Sequence, residues 1–276
     1  MKYAICILAH KSPEHLERIV KKIKADNTQI FIHLDKKSNI SEFSHIQNAT
    51  FISTREKVCW GGRSMVKAMF NLIEYVVLNI DCEYIIFISG EDYPVIMPKD
   101  YDKYINIEKN YLEYKKLPKD DWYSGGMIRI MYYYLFRCPN SLLSRICVKL
   151  QKLTGIKRNI NKLPFEVYGG SQWININRAT AEYIINNWKQ YYSFFRFCMI
   201  PDEMIFQTII LNSEQKDSTI NTNYRYLRYN EVSSSNAAYI DNYDIEQIKM
   251  NKPLFCRKVK DLDIIKHLDL LMNEKG

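Results

Sequence analysis

Residues 3–9, "YAICILA", form a continuous apolar run, the pattern of a strand buried on both faces of a parallel sheet. Residues 13–25, "PEHLERIVKKIKA", place apolar residues at helical spacing, with Ser12 as the predicted cap and Pro13 in the first turn. "QIFIHLD" at 29–35 predicts a second strand ending in an acid, and "ATFISTR" predicts a third. After "VCWGGRS", Val66, Met69, Phe70, Ile73 and Val76 fit one face of a helix. A further buried strand, "EYIIFIS" at 83–89, runs into the turn "SGEDYPV". Strand–helix–strand alternation with polar strand C-termini predicts an α/β fold, a doubly wound and mostly parallel sheet open to a ligand along that edge.

The second half is less regular. "NSLLSRICVKLQKLTGIKRNINK" at 140–162 combines an apolar stripe with Arg145, Lys149, Lys152, Lys157, Arg158 and Lys162. This pattern fits a helix lying on an anionic membrane and equally a surface helix with its apolar side on the core. "GGSQWININRATAEYIINNW" predicts a Gly turn, a short strand with Trp173 and a helix from about Arg178. The chain is read as one domain, residues 1–276, with a nucleotide half at 1–100 and an acceptor half at 101–276. The seam is placed near 98–125, where Pro, Lys and Asp collect.

Composition narrows the partners. The net charge of +8 favours an anionic ligand, and it reads as spread along the chain rather than held in a tail. That argues only weakly for nucleic acid, for which no recognition motif is present, and better for a local anion site. G-x-G-x-x-G and P-loop fingerprints are absent, so ordinary dinucleotide and ATP sites are not expected. The seven cysteines are odd in number, scattered and without zinc spacing, which suggests free thiols in a reducing compartment. No stretch approaches the ~20 apolar residues of a membrane span, and the first strand lacks a cleavage site. A cytoplasmic protein, free or peripheral at the inner membrane face, is expected.

The candidate chemistry begins at "IPDEMIFQTII", 200–210, where Asp202 and Glu203 open an apolar helix. Acids there can cap a helix and complement its positive end, worth about 1 kcal/mol together. A carboxylate fixed beside a cleft can also take a proton from a substrate hydroxyl. Spacing leaves both readings open.

The ordered segments "ILAHKSPEHLERIV", "IHLDKKS", "VCWGGRSMVKA", "ISGEDYPV", "GGSQWININR", "PDEMIFQT", "LRY" and "LFCRK" resemble the core-2/I-branching β-1,6-N-acetylglucosaminyltransferases and peptide O-xylosyltransferases, glycosyltransferase family 14. The resemblance spans residue 3 to about 260 and implies a GT-A-like glycosyltransferase fold. It also implies an inverting, metal-independent transfer from a UDP-sugar to a glycan acceptor. It puts Glu203 in the place of the catalytic base and leaves Asp202 as the cap. Arg228 of "YLRYNEV" and Lys258 of "LFCRK" take the diphosphate, with Arg257 beside Lys258 as a competing candidate. The segment after "LRY" departs from the family's pattern. Asp35, Ala9 and His10 border the nucleoside. Asp92 belongs to the donor pocket, as does Trp60, for which core packing is an equal reading. Glu113, Arg129 and Trp173 are acceptor candidates, with Tyr132, Tyr133 and Tyr134 as a stacking face.

"SGEDYPV" carries no Asp-x-Asp, and Asp261-Leu262-Asp263 reads as a helix start, so no metal or other cofactor is expected. β-linked N-acetylglucosamine transfer, by a bacterial enzyme of surface polysaccharide or lipooligosaccharide synthesis, is the preferred implication. The acceptor would be a glycan, lipid-linked if 140–162 meets a membrane. Xylose, another hexose, or a non-catalytic glycan- or nucleotide-binding relative are the alternatives.

Overall fold

The computed structural model describes residues 2–229 and 237–273. Strands β1 (Tyr3–Ala9), β2 (Thr28–Leu34), β3 (Thr50–Phe51), β4 (Tyr84–Ser89), β5 (Asp92–Pro94) and β6 (Asn110–Leu112) come first. They are followed by β7 (Lys115–Lys116), β8 (Tyr168–Gly169), β9 (Asn175–Asn177), β10 (Thr219–Asn221), β11 (Arg225–Leu227) and β12 (Phe255–Arg257). The helices are α1 (Pro13–Ile23), α2 (Arg63–Asn79), α3 (Ile128–Met131), α4 (Leu142–Leu153), α5 (Arg178–Phe195), α6 (Ile205–Leu211), α7 (Asn242–Asn251) and α8 (Leu262–Asn273).

The central sheet runs β10-β6-β9-β4-β1-β2-β3. Its pairs are parallel except where β9 meets β4 and β6. The unbroken apolar run of β1 has a direct cause: it is buried on both sides. Tyr3, Ile5, Ile7 and Ala9 enter a core shared with α1, α7 and α8. Ala4, Cys6 and Leu8 enter the opposite core, shared with α2, α5 and α6. Each fully buried Ile contributes roughly 1.5–3 kcal/mol, which is why both faces must be covered. The sheet is mostly parallel and doubly wound, as the alternation predicts.

A small sheet, β11-β12-β5, sits at the C-terminal edge. Parallel pairing of β11 with β12 and antiparallel pairing of β12 with β5 bring residues 92, 225–228 and 257 beside the ends of β1 and β4.

Several local expectations change. Ser12 holds the N-cap position of α1 in the left-handed region and makes no side-chain cap bond. The third strand shrinks to Thr50–Phe51. The helix expected through 140–162 ends at Leu153, and Arg158 turns inward to meet Cys198 Sγ at 3.0 Å and the Phe194 carbonyl at 2.8 Å. Cys59 and Cys138 form a disulfide, leaving five free cysteines. The argument from scattered thiols to a reducing compartment therefore fails at this pair. Asp261 does start a helix, its carboxylate accepting the Asp263 amide at 2.7 Å.

Candidate active site

The segment around Glu203 is pinned from three directions. Ile200 adopts φ 52°, a left-handed conformation that a β-branched residue takes only under constraint. The constraint is its amide bond to the Gly61 carbonyl at 2.8 Å, directly after Trp60. Pro201–Glu203 then makes one short 3-10 turn before α6, and the Glu203 carbonyl accepts the Gly170 amide at 2.9 Å. Arg129 Nη1 donates to Glu203 Oε2 at 2.6 Å, and its guanidinium lies 3.7 Å from the ring centre of Trp122. Oε1 of Glu203 has no hydrogen bond among the described residues.

Asp202 is not the cap. Neither the 3-10 turn nor α6 receives a side-chain cap bond, because Asp202 points into the protein. Its Oδ1 is buried without a hydrogen-bond partner among the described residues. Burial, with the charge of Glu203 beside it, pushes this carboxyl up to about 7.

The acceptor candidates divide. Glu113 is half-exposed, with Lys119 Nζ 3.9 Å away. Partial desolvation, helped by Asp121 and Glu203 and opposed by Lys119, raises its carboxyl. Lys119 is buried and donates to Asp121 at 2.6 Å. Desolvation, with the charges of Glu113 and Glu203 and against that of Arg257, raises the Tyr229 phenol.

Trp173, by contrast, is buried, with the Arg257 guanidinium 4.7 Å above its ring, so it supports a cation rather than offering a face. The stacking face expected of Tyr132–Tyr134 does not form: Tyr132 and Tyr134 are buried and only Tyr133 is exposed.

At the strand ends, Gly90 packs so closely on Ala9 that a Cβ would lie 3.3 Å from the Ala9 Cβ. His10 is exposed, its carbonyl accepting Ser38 Oγ at 2.6 Å. Asp35 is buried and accepts the Lys37 amide at 2.8 Å and, at 3.4 Å, the Val58 amide. Its carboxylate therefore shapes the loop at the end of β2. Glu91 gathers cations: Lys11 at 2.9 Å, Arg257 at 4.0 Å, and the charge of Lys258. Burial works against it, but the Lys11 bond and these charges hold its carboxyl below the ordinary value.

Asp92 does not line a donor pocket. It is fully buried, taking Ser89 Oγ at 2.6 Å and Arg257 Nη1 at 3.2 Å, with Arg225 Nε 3.9 Å from its other oxygen. Two arginines compete for it because the small sheet stacks β5 against β12 with β11 beyond.

Arg228 is also diverted. Backbone bonds join it to Lys258 through Ala238, but its guanidinium pairs with Asp241 at 2.5 Å and Asp244 at 3.5 Å. Lys258 Nζ has no hydrogen bond or ion pair among the described residues and is only partly buried. Trp60 is 47% exposed, which removes the core-packing alternative. Residues 230–236, where the sequence departs from the family's pattern, lie outside the described residues.

Trp122, Lys119, Tyr229 and Lys11 were not singled out in the sequence. The available signal was weak: Trp122 and Lys119 sit in "KLPKDDWYSGG", a loop with no periodicity.

A family model described as "Core-2/I-Branching enzyme" matches residues 3–251, and the chain belongs to that family. It is similar to a xylosyltransferase of Ciona intestinalis, 22% identical over 286 residues, covering 92% of this chain and 32% of that protein. It is also similar to xylosyltransferase 1 of Rattus norvegicus, 24% identical, covering 87% of this chain and 29% of that protein. The chain thus spans about a third of the length of these curated relatives. Among solved structures, mouse xyloside xylosyltransferase 1 in its apo form gives a TM-score of 0.38 at 10% identity, covering 93% of this chain and 97% of that one.

Proposed function

We propose that this chain transfers a sugar from a UDP-sugar to a hydroxyl of a glycan acceptor, by a single inverting displacement that needs no metal ion. The observation that carries the reading is the Glu203–Arg129 pair at 2.6 Å, which fixes one carboxylate oxygen and leaves the other without a bond among the described residues. Glu203 Oε1 takes the acceptor hydroxyl proton as that oxygen bonds to the anomeric carbon and the UDP oxygen departs. Arg129, held on Trp122, is a positioning residue for this base.

Lys258 is the cation best placed to meet the departing diphosphate, with Lys11 and Arg257 nearby around Glu91. Fixed cations in a partly desolvated cleft stabilise developing negative charge without a metal. The strand ends at Ala9, His10 and Asp35 are assigned to the nucleoside. Xylose, from the names of the curated relatives, and N-acetylglucosamine, from the sequence resemblance, are the two candidate sugars.

The test is Glu203→Gln assayed with UDP-xylose and UDP-N-acetylglucosamine in EDTA. Wild type should turn over one of them. The variant should bind UDP as wild type does while transfer falls about 10²–10⁴-fold. Retained turnover would remove Glu203 from the mechanism, and a strict need for added Mn²⁺ would remove the cation account.

A further inference from the structure

Helix α4 leaves its apolar side uncovered. Leu142, Leu143, Ile146, Leu150 and Leu153 are all exposed, Leu142 and Leu153 by more than 70%, and Ile156 just beyond the helix continues the stripe. At helical spacing these five fill an arc of about 100°, and Arg145, Lys149 and Lys152 fill an adjoining arc of about 60°. The third side holds the helix to the protein. Ser144 is buried there, and Gln151 grips Tyr133, accepting its amide at 2.8 Å and donating to its carbonyl at 2.9 Å. The bare stripe is thus the outer face of an anchored helix, capped by Ser141.

Charge selects the occupant. Residues 122–165 contain eight Lys and Arg and no Asp or Glu. That excess equals the net charge of the whole chain, whose remaining acids and bases balance. The charge is therefore not spread along the chain as the composition first suggested. A second copy pressing the same face would set like charges against each other. An anionic surface with an apolar interior satisfies both stripes.

We propose that α4 docks this protein on an anionic lipid bilayer, its leucine face entering the acyl boundary and its basic flank meeting the headgroups. A cleft of about 290 Å³ lies between that flank and residues 134–140, lined by Arg145, Lys149 and Lys152 with Met199 at its wall. Ser144 Oγ is buried beside it, without a hydrogen-bond partner among the described residues. This cleft takes a headgroup phosphate. Among the described residues no helix is long and apolar enough to cross a membrane. The Met199 amide bonds the Arg129 carbonyl at 2.9 Å, which sets the docked face next to the Arg129–Glu203 pair. Presentation of a membrane-borne acceptor to Glu203 rests on the transferase reading; the docking itself does not.

The test is co-sedimentation of the full chain with vesicles of phosphatidylcholine alone and of phosphatidylcholine with phosphatidylglycerol, without donor or acceptor. Wild type should pellet with the anionic vesicles, less so at high salt. Leu142→Asp/Leu150→Asp and Lys149→Glu/Lys152→Glu should each lower partition about tenfold or more. Both double variants should keep the wild-type melting temperature and UDP binding, since these side chains are exposed. Equal pelleting with neutral vesicles, or variants that pellet like wild type, would overturn the proposal. Wild-type dimers that the leucine variant converts to monomers would assign the face to a second copy instead. Loss of transferase activity in Glu203→Gln with intact pelleting separates the two readings.

Discussion

Lys258 and Arg228 carry the same charge on neighbouring backbone, and the resemblance gave both the same role. Their surroundings separate them. Arg228 must give up a 2.5 Å contact with Asp241 before it can meet a phosphate, so its net gain from binding one is small. Among the described residues Lys258 has no such partner to lose, and its charge already acts on Glu91. A hydrogen bond to a charged group contributes about 1.5–3 kcal/mol, which is roughly ten- to a hundredfold in Kd. Lys258→Ala should therefore weaken UDP binding by about that factor, read by calorimetry, whereas Arg228→Ala should change it less than about threefold. The opposite order would move the diphosphate to Arg228. The sequence could rank neither, because the acids that capture Arg228 belong to the start of α7 and nothing in "YLRYNEV" announces them. Glu203 became a candidate base only through the motif around it; the same two letters by spacing alone fit a cap, which the structure rejects for Asp202.

At the scale of elements, continuous apolar runs and helical stripes made β1, β2, β4, α1, α2 and α5 readable from sequence, because two-sided burial writes itself into every position. The acceptor side was not readable, since its segments are shaped by close approach rather than by periodicity. "GGSQW" shows why. It reads as a turn, but a Cβ on Gly170 would sit 1.8 Å from the Glu113 carbonyl oxygen, and one on Gly169 would meet the Trp122 ring at 2.6 Å. These two glycines let the segments carrying Glu113, Trp122 and Glu203 close on one another. Gly170→Ala must push backbone apart and should cost several kcal/mol, on the order of an overpacked core position or more. Gly155 has φ 72° with open space around it, so Gly155→Ala should cost only about 1 kcal/mol. Urea midpoints of the two variants decide this. Equal losses would mean that the segments around Gly170 can separate without penalty and that the site is not packed as described.

Across the whole molecule, two buried titrating groups set opposing pH dependences. Asp202 is held up to about 7 from an ordinary 3.8 by burial and by the neighbouring Glu203, against the pull of Arg129. Between those values the folded state binds more protons than the unfolded chain, so stability falls as pH rises from about 4 to 7. His33 is the reverse case. It is buried at the end of β2, its Nε2 accepts the Glu56 amide at 2.8 Å, and burial lowers it from 6.5 to about 4 against the pull of Asp35. Here the folded state binds fewer protons, so stability is complete above about 6.5 and is lost as pH falls through 4. Over the shared window the two slopes cancel, and these groups leave wild type nearly flat. Asp202→Asn removes one slope and should uncover a rise of about 3 kcal/mol between pH 4 and 6.5, measured by urea unfolding at each pH. His33→Gln, which keeps an acceptor for the Glu56 amide, should uncover a fall of similar size. Profiles of the two variants that run parallel to wild type would show that neither group is buried with the charge state assigned to it. The raised carboxyl also explains why a buried acid is tolerated next to Glu203: below about pH 7 Asp202 holds a proton, and Glu203 then has no second negative charge beside it.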